Sequence, residues 1–171
     1  LAILISGRGS NMGALARACM DHDYPAEIVM VISNRPNVAG LELAREHDLP
    51  IRVIDHAEFD SRESHEEAMC AAMSEAGAEL VCMAGDMRIG GQTLLGKWRG
   101  KVVNIHPSLL PAFRGVDTHE RAIDAGVRVH GCTVHFVSPE LDAGPIIAQA
   151  VVPVCPHESA DDLGARVLEM E

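Results

Sequence analysis

Five short apolar runs separated by stretches of helical periodicity constrain this chain more than any other feature. The runs are Ala2–Ile5, Ile28–Ser33, Ile51–Ile54, Leu80–Ala84 and Val102–Ile105, each bounded by turn residues. Apolar character on both faces of so short a run is what a buried parallel strand requires. Between them lie Met12–Asp21, Val38–His47 and Arg62–Ala76, with apolar residues three and four apart. Met69, Met73 and Ala76 make one such stripe, and Gly77 is the expected stop. Strands alternating with helices predict βαβ units and an α/β fold built on a doubly wound, mostly parallel sheet.

The second half changes period. Val129–Val137 alternates polar and apolar residues, Ile146–Val154 reads as another strand, and Ser138–Gly144 loops between them. This predicts an antiparallel pair closing one side of the sheet. A helix over Asp161–Met170 follows, with Ser159 as its N-cap. That helix is expected to be cut off at Glu171, so residues 1–171 read as one catalytic domain whose C-terminal end is truncated.

Composition narrows the function. The chain carries 14 Lys and Arg against 25 Asp and Glu, a formal charge of −11, which argues against nonspecific nucleic-acid binding. The aromatics Tyr24, Phe59, Trp98, Phe113 and Phe136 are too scattered for a base-stacking platform. The longest uninterrupted apolar run, Ala68–Met73, holds six residues, whereas a membrane span needs about 20. No leader peptide is recognisable. Cys19, Cys70, Cys82, Cys132 and Cys155 are dispersed without a CxxC pair. They read as reduced core thiols of a cytoplasmic protein, not as a disulfide framework or a zinc site.

Three segments could carry chemistry. Ser6-Gly7-Arg8-Gly9-Ser10-Asn11 follows the first strand and opens the first helix. Glycines let backbone close on a ligand, and a helix N-terminus offers N–H groups to an anion. Ser10 and Asn11 add donors, or either serves only as the N-cap. Gly7, Gly9 and Gly13 also mimic a dinucleotide fingerprint, but strand two ends in Ser33-Asn34-Arg35 without the acidic ribose ligand. Arg35 would suit a 2′-phosphate, so an NADP-dependent reductase stays open.

The second segment, Asn104-Ile105-His106-Pro107-Ser108-Leu109-Leu110-Pro111, runs out of the fifth strand. Alternation puts Asn104 and His106 on one face at the strand's carboxyl end, where open α/β sheets place ligands. An amide beside an imidazole suits stabilisation of an oxyanion, and no partner at zinc spacing accompanies them. The third is Leu141-Asp142-Ala143-Gly144-Pro145. Asp142 reads as a turn former, or as a carboxylate serving His106 if its loop folds back. His135 alternates with apolar neighbours and could line the same pocket; His130 reads as a strand-end residue and His119 as a helix-start residue.

The motifs GRGSN (residues 7–11), NIHPSLLPAFRG (104–115) and HGCTVHFVSPELDAGPII (130–147), with VISNRP, FDSRE and AGDMRI, run along essentially the whole chain. Together they closely resemble the glycinamide ribonucleotide formyltransferase family of purine biosynthesis, of the folate-dependent formyltransferases. Methionyl-tRNA formyltransferase and formyltetrahydrofolate deformylase share the core. The first carries a tRNA-binding domain and a basic surface not visible here, and the second typically has a second His where this chain has Pro107.

The resemblance implies transfer of the formyl group of 10-formyltetrahydrofolate, as co-substrate, to the amine of glycinamide ribonucleotide. Asn104, His106 and Asp142 would be catalytic, with Asn104 and protonated His106 stabilising the oxyanion and Asp142 favouring the imidazolium and relaying a proton. Gly9, Ser10 and Asn11 match the substrate phosphate loop and Glu171 a substrate-binding position. Arg62, Met87, Arg88, Ile89, Val137 and Glu140 match positions around the folate. No metal is implied, and the implied partners are small molecules, with neither nucleic acid nor membrane among them. Asp86, where the family usually has an aromatic residue, and Leu168, where relatives can have a polar one, depart from the pattern. A deformylase-type hydrolase, the NADP-dependent reductase and a catalytically silent folate binder are the alternatives.

Overall fold

The computed structural model describes residues 1–85 and 91–171. Its strands are β1 (Ala2–Ile5), β2 (Met30–Ser33), β3 (Ile51–Val53), β4 (Val81–Met83), β5 (Val102–His106), β6 (Val129–Phe136) and β7 (Ile146–Pro153). Its helices are α1 (Ser10–Cys19), α2 (Ala39–Glu46), α3 (Arg62–Glu75), α4 (Gln92–Lys97), α5 (Thr118–Asp124) and α6 (Ala160–Leu168), with a 3-10 turn at His56–Glu58. The strands hydrogen-bond in the order β3-β2-β1-β4-β5-β6-β7. The chain falls into two units, residues 1–103 and 104–171, with β5 contributing residues to each.

In the first unit β1 pairs in parallel with β2 and with β4, and β2 with β3. The path β1–α1–β2–α2–β3 steps in one direction, and β3–α3–β4 reverses it. Right-handed crossovers therefore put α1 and α2 on one face and α3 and α4 on the other. On the first face Met12, Ala16, Leu41 and Ala44 pack with Ile3, Ile5, Val31, Cys82 and Ala84 in one buried cluster. All four residues of β1 are buried, as the continuous apolar run predicted. The reversal between β1 and β4 is the switch point where α/β sheets open for ligands, and the glycine-rich turn sits there.

In the second unit β6 and β7 form the expected antiparallel pair, from Val129↔Pro153 to Val134↔Ala148, with a bulge between Val134 and His135. Cys132, Val152, Leu163 and Val167 make its buried core, against which Ile105 and Ile123 pack. Ser159 caps α6 in a reciprocal capping box with Asp162. Gly77, at φ 72, follows the C-cap of α3.

Several expectations need correction. Two short helices, α4 and α5, lack enough turns to show a stripe, and the periodicity did not mark them. The N-cap of α1 is Gly9, at φ 75 with no side-chain cap bond, and not Ser10 or Asn11. The last helix runs from Ala160 to Leu168 with Glu169 as its C-cap, short of the expected Met170. Cys70, Cys82 and Cys132 are buried, but Cys19 is half-buried and Cys155 is exposed. His130 lies at the start of β6, as the strand-end reading has it, and is 1% exposed. Among the described residues no helix is long and apolar enough to cross a membrane.

Candidate active site

The second unit gathers its polar side chains where β5 ends. Asn104 and His106 leave β5 on the same face, as alternation requires, and the loop between β6 and β7 brings Asp142 to them. Asp142 Oδ2 lies 3.5 Å from His106 Nδ1, with both side chains less than a tenth exposed. Asp142 sits at φ 47, a left-handed conformation that aspartate tolerates better than most residues. Its Oδ2 also accepts from the Gly115 backbone N–H at 2.9 Å, which ties the two loops together. The folding back of the Asp142 loop, which spacing left open, is thus part of the structure.

His135 joins them from β6. Its Nε2 is 3.3 Å from Asn104 Nδ2 and 3.8 Å from Asp142 Oδ1, and its Nδ1 meets the Phe136 carbonyl at 3.0 Å. Burial pushes the His135 ring below its ordinary pKa, against the opposing effects of the Phe136 carbonyl and Asp142.

The ring of His106 is more committed than the sequence suggested. Its Nε2 donates to the Phe113 carbonyl at 3.1 Å. A carbonyl only accepts, so Nε2 carries a hydrogen, and Nδ1 is the ring nitrogen that faces the Asp142 carboxylate. Direct donation from His106 to a substrate oxygen would break the Phe113 bond, leaving Asn104 Nδ2 as the better placed donor. The Phe113 carbonyl and the Gly115 N–H escaped the sequence reading because backbone groups leave no residue-type signal. The only hint was the unusual run Ala112-Phe113-Arg114-Gly115, in which Phe113 has φ 54.

A buried polar node holds the loop that follows His106. Thr133 Oγ1 donates to the Ser108 carbonyl at 2.6 Å and accepts from the Leu110 N–H at 3.0 Å. Gln149 Nε2 reaches the Leu110 carbonyl and Thr133 Oγ1, each at 3.0 Å. Ser108 Oγ closes the turn on the Ala112 carbonyl at 2.6 Å. Hydrogen bonds to β6 and β7 thus hold this loop, in addition to the fixed φ of Pro107 and Pro111.

The remaining anticipated residues divide by unit. In the second, Val137 is half-buried, Glu140 is exposed and paired with Arg114 at 2.8 Å, and half-buried Glu171 follows α6. Glu171 raises the pKa of His119 by its charge, although burial outweighs it and the net shift is downward. In the first unit, Gly9 is buried while Ser10 is exposed at the start of α1. A Cβ on Gly9 would lie 2.8 Å from the Cα of Gly40, so this glycine serves the packing of α1 on α2 as well as any ligand. Its lack of a side chain leaves the first turn of α1 without a side-chain cap, and that turn presents N–H groups suited to an anion. Arg62 opens α3 and pairs through Nε with Glu66 at 2.8 Å. Arg35, the candidate for a 2′-phosphate, is exposed in a turn closed by Ser33 Oγ. Met87, Arg88 and Ile89, with Asp86, lie outside the described residues. Among the described residues no group of three or more His, Cys, Asp or Glu side chains is arranged to hold a metal ion.

Comparison with known proteins gives this geometry its context. The family model described as formyl transferase matches residues 1–171. The chain is 39% identical over 171 residues to a phosphoribosylglycinamide formyltransferase of Haemophilus influenzae, covering all of this chain and 81% of that protein. It is 47% identical to a trifunctional purine biosynthetic protein adenosine-3 of Gallus gallus, of which it spans only 17%. A crystal structure of glycinamide ribonucleotide transformylase 1 from Symbiobacterium toebii superposes with a TM-score of 0.96 at 40% identity, covering 99% of this chain and 80% of that one. A phosphoribosylglycinamide formyltransferase from Brucella melitensis gives 0.94 at 45% identity, with 99% and 87% covered. With its whole length matched and its α/β fold shared, the chain belongs to the formyl transferase family.

Proposed function

We propose that residues 1–171 act as a catalytic domain that transfers the formyl group of 10-formyltetrahydrofolate to the amine of glycinamide ribonucleotide in the cytoplasm. The observation that carries this reading is the convergence of Asn104, His106 and Asp142, from two separate segments, into one largely buried cluster joined through His135. The names borne by the relatives favour this reaction over hydrolysis of the formyl donor, and nothing at Arg35 favours NADP.

In this reading the substrate amine attacks the formyl carbon, a C–N bond forms, and the carbonyl oxygen becomes an oxyanion. Asn104 Nδ2 donates to that oxygen, and the imidazolium of His106 supplies positive charge nearby. The amine proton passes towards the Asp142 carboxylate through water and then to the departing folate nitrogen as its bond to carbon breaks. Gly9, Ser10 and Asn11 take the substrate phosphate at the start of α1. Glu171 contacts the ribonucleotide. Arg62, Met87, Arg88, Ile89, Val137 and Glu140 surround the folate.

The purified chain given both substrates should form tetrahydrofolate and formylglycinamide ribonucleotide in equal amounts. Formate released without the ribonucleotide would indicate a hydrolase. Thermal stabilisation by NADP in place of the folate would indicate a reductase. Either result overturns the proposal.

A further inference from the structure

We propose that His135 is a positioning residue for this reaction, holding the Asn104 side-chain amide in the orientation that presents an N–H to the reacting formyl oxygen. The inference rests on the function proposed above. Its geometry begins with the Phe136 carbonyl, which faces His135 Nδ1 at 3.0 Å. A carbonyl accepts and cannot donate, so the ring hydrogen resides on Nδ1 and the neutral ring keeps a lone pair on Nε2.

That lone pair meets Asn104 Nδ2 at 3.3 Å. An amide turned the other way would set its oxygen against the lone pair, so the neutral ring selects the observed orientation. One hydrogen of Nδ2 is spent on His135; the other, fixed by the planarity of the amide, points away from the ring and serves the substrate. The selector is itself rigid. His135 is 2% exposed, follows the β6 bulge, and packs edge-on to His106 with ring centroids 6.5 Å apart.

Three groups decide what protonation would do here. Asp142 Oδ1 lies 3.8 Å from Nε2 on the β6–β7 loop, and His106 faces the ring from β5, as does Asn104. A proton on Nε2 turns the acceptor into a donor directed at Asp142 Oδ1 and expels the amide hydrogen. Burial holds the ring towards its neutral form, which keeps the selector working around neutral pH. Below the pKa of His135 the amide loses its guide while the His106–Asp142 pair keeps its partners.

The test combines kinetics with an activity-free signal. Loss of one hydrogen bond that organises a donor is worth about tenfold in rate. His135→Ala should therefore lower kcat about tenfold while KM for either substrate stays within about twofold. His135→Gln, whose side-chain oxygen can accept the same N–H, should recover most of that loss. In an Asn104→Ala background, His135→Ala should cost less than about twofold, because the amide it serves is gone. In the unmodified chain, the side-chain 15N and 1H signals of Asn104 should shift with pH at the midpoint of the His135 ring, and His135→Gln should abolish that shift. An equal loss in the Asn104→Ala background, or Asn104 signals indifferent to His135, overturns the proposal. Should His135→Ala fail to fold, the glutamine variant and the titration of the unmodified chain still decide. An unmodified chain without formyl transfer refutes the proposed function instead, and the amide signals still judge the positioning.

Discussion

Replacing Asp142 by Asn removes one charge from the centre of the site while nearly preserving shape. The amide oxygen can still accept from the Gly115 N–H, now served by the carboxylate at 2.9 Å, so the two loops should stay joined. What disappears is the attraction between a carboxylate and an imidazolium 3.5 Å apart. At that distance and an effective dielectric of about 20, Coulomb's law gives about 5 kcal/mol. Desolvation of two buried charges takes back a good part, leaving about 2–4 kcal/mol to be lost from the transition state. This corresponds to a fall in kcat of about 30- to 1000-fold. Steady-state rates with both substrates saturating should show that fall, with each KM within a few-fold of its original value. His106→Ala should be comparably damaging, and the double variant little worse than the worse single one, because the two residues act as a unit. Losses that multiply would refute the charge coupling.

Gly9→Ala must strain a left-handed backbone and push a methyl against Gly40 at 2.8 Å; a cost of about 2–4 kcal/mol in urea unfolding is expected. Binding of both substrates should then suffer together, whereas Ser10→Ala should weaken the ribonucleotide alone. Thr133→Val strands the buried Leu110 N–H, and should cost about 1–3 kcal/mol in the same measurement. The pKa of His130 is lowered from 6.5 to about 4 by burial and by neighbouring His119. The unfolded chain therefore takes up this proton first, and the stability gained from keeping the ring neutral is complete above about pH 6.5 and drains away as pH falls to about 4. Urea midpoints should drop over that window, and His130→Gln should flatten the drop.

Much of the first unit was legible because its signals are local. A parallel strand buried on both faces must be apolar throughout, and β1, β2 and β4 announce themselves by composition alone. The long helices did the same through their stripes, Gly77 through its position after one of them, and Ser159 through capping chemistry. Asn104 and His106 were readable as a pair because strand alternation is a property of four or five consecutive residues. Local sequence does not carry the company a residue keeps across the fold. The approach of Asp142 to His106, and the acceptor role of the Phe113 carbonyl, depend on how two loops fold back, which only tertiary packing decides. Gly9 looked like a ligand residue in the sequence, and the structure adds the Gly40 backbone that also demands it. His135 shows the division most clearly: alternation along β6 gave its face, but its tautomer, its hold on Asn104 and its burial beside Asp142 arise only when β5, β6 and the last loop meet.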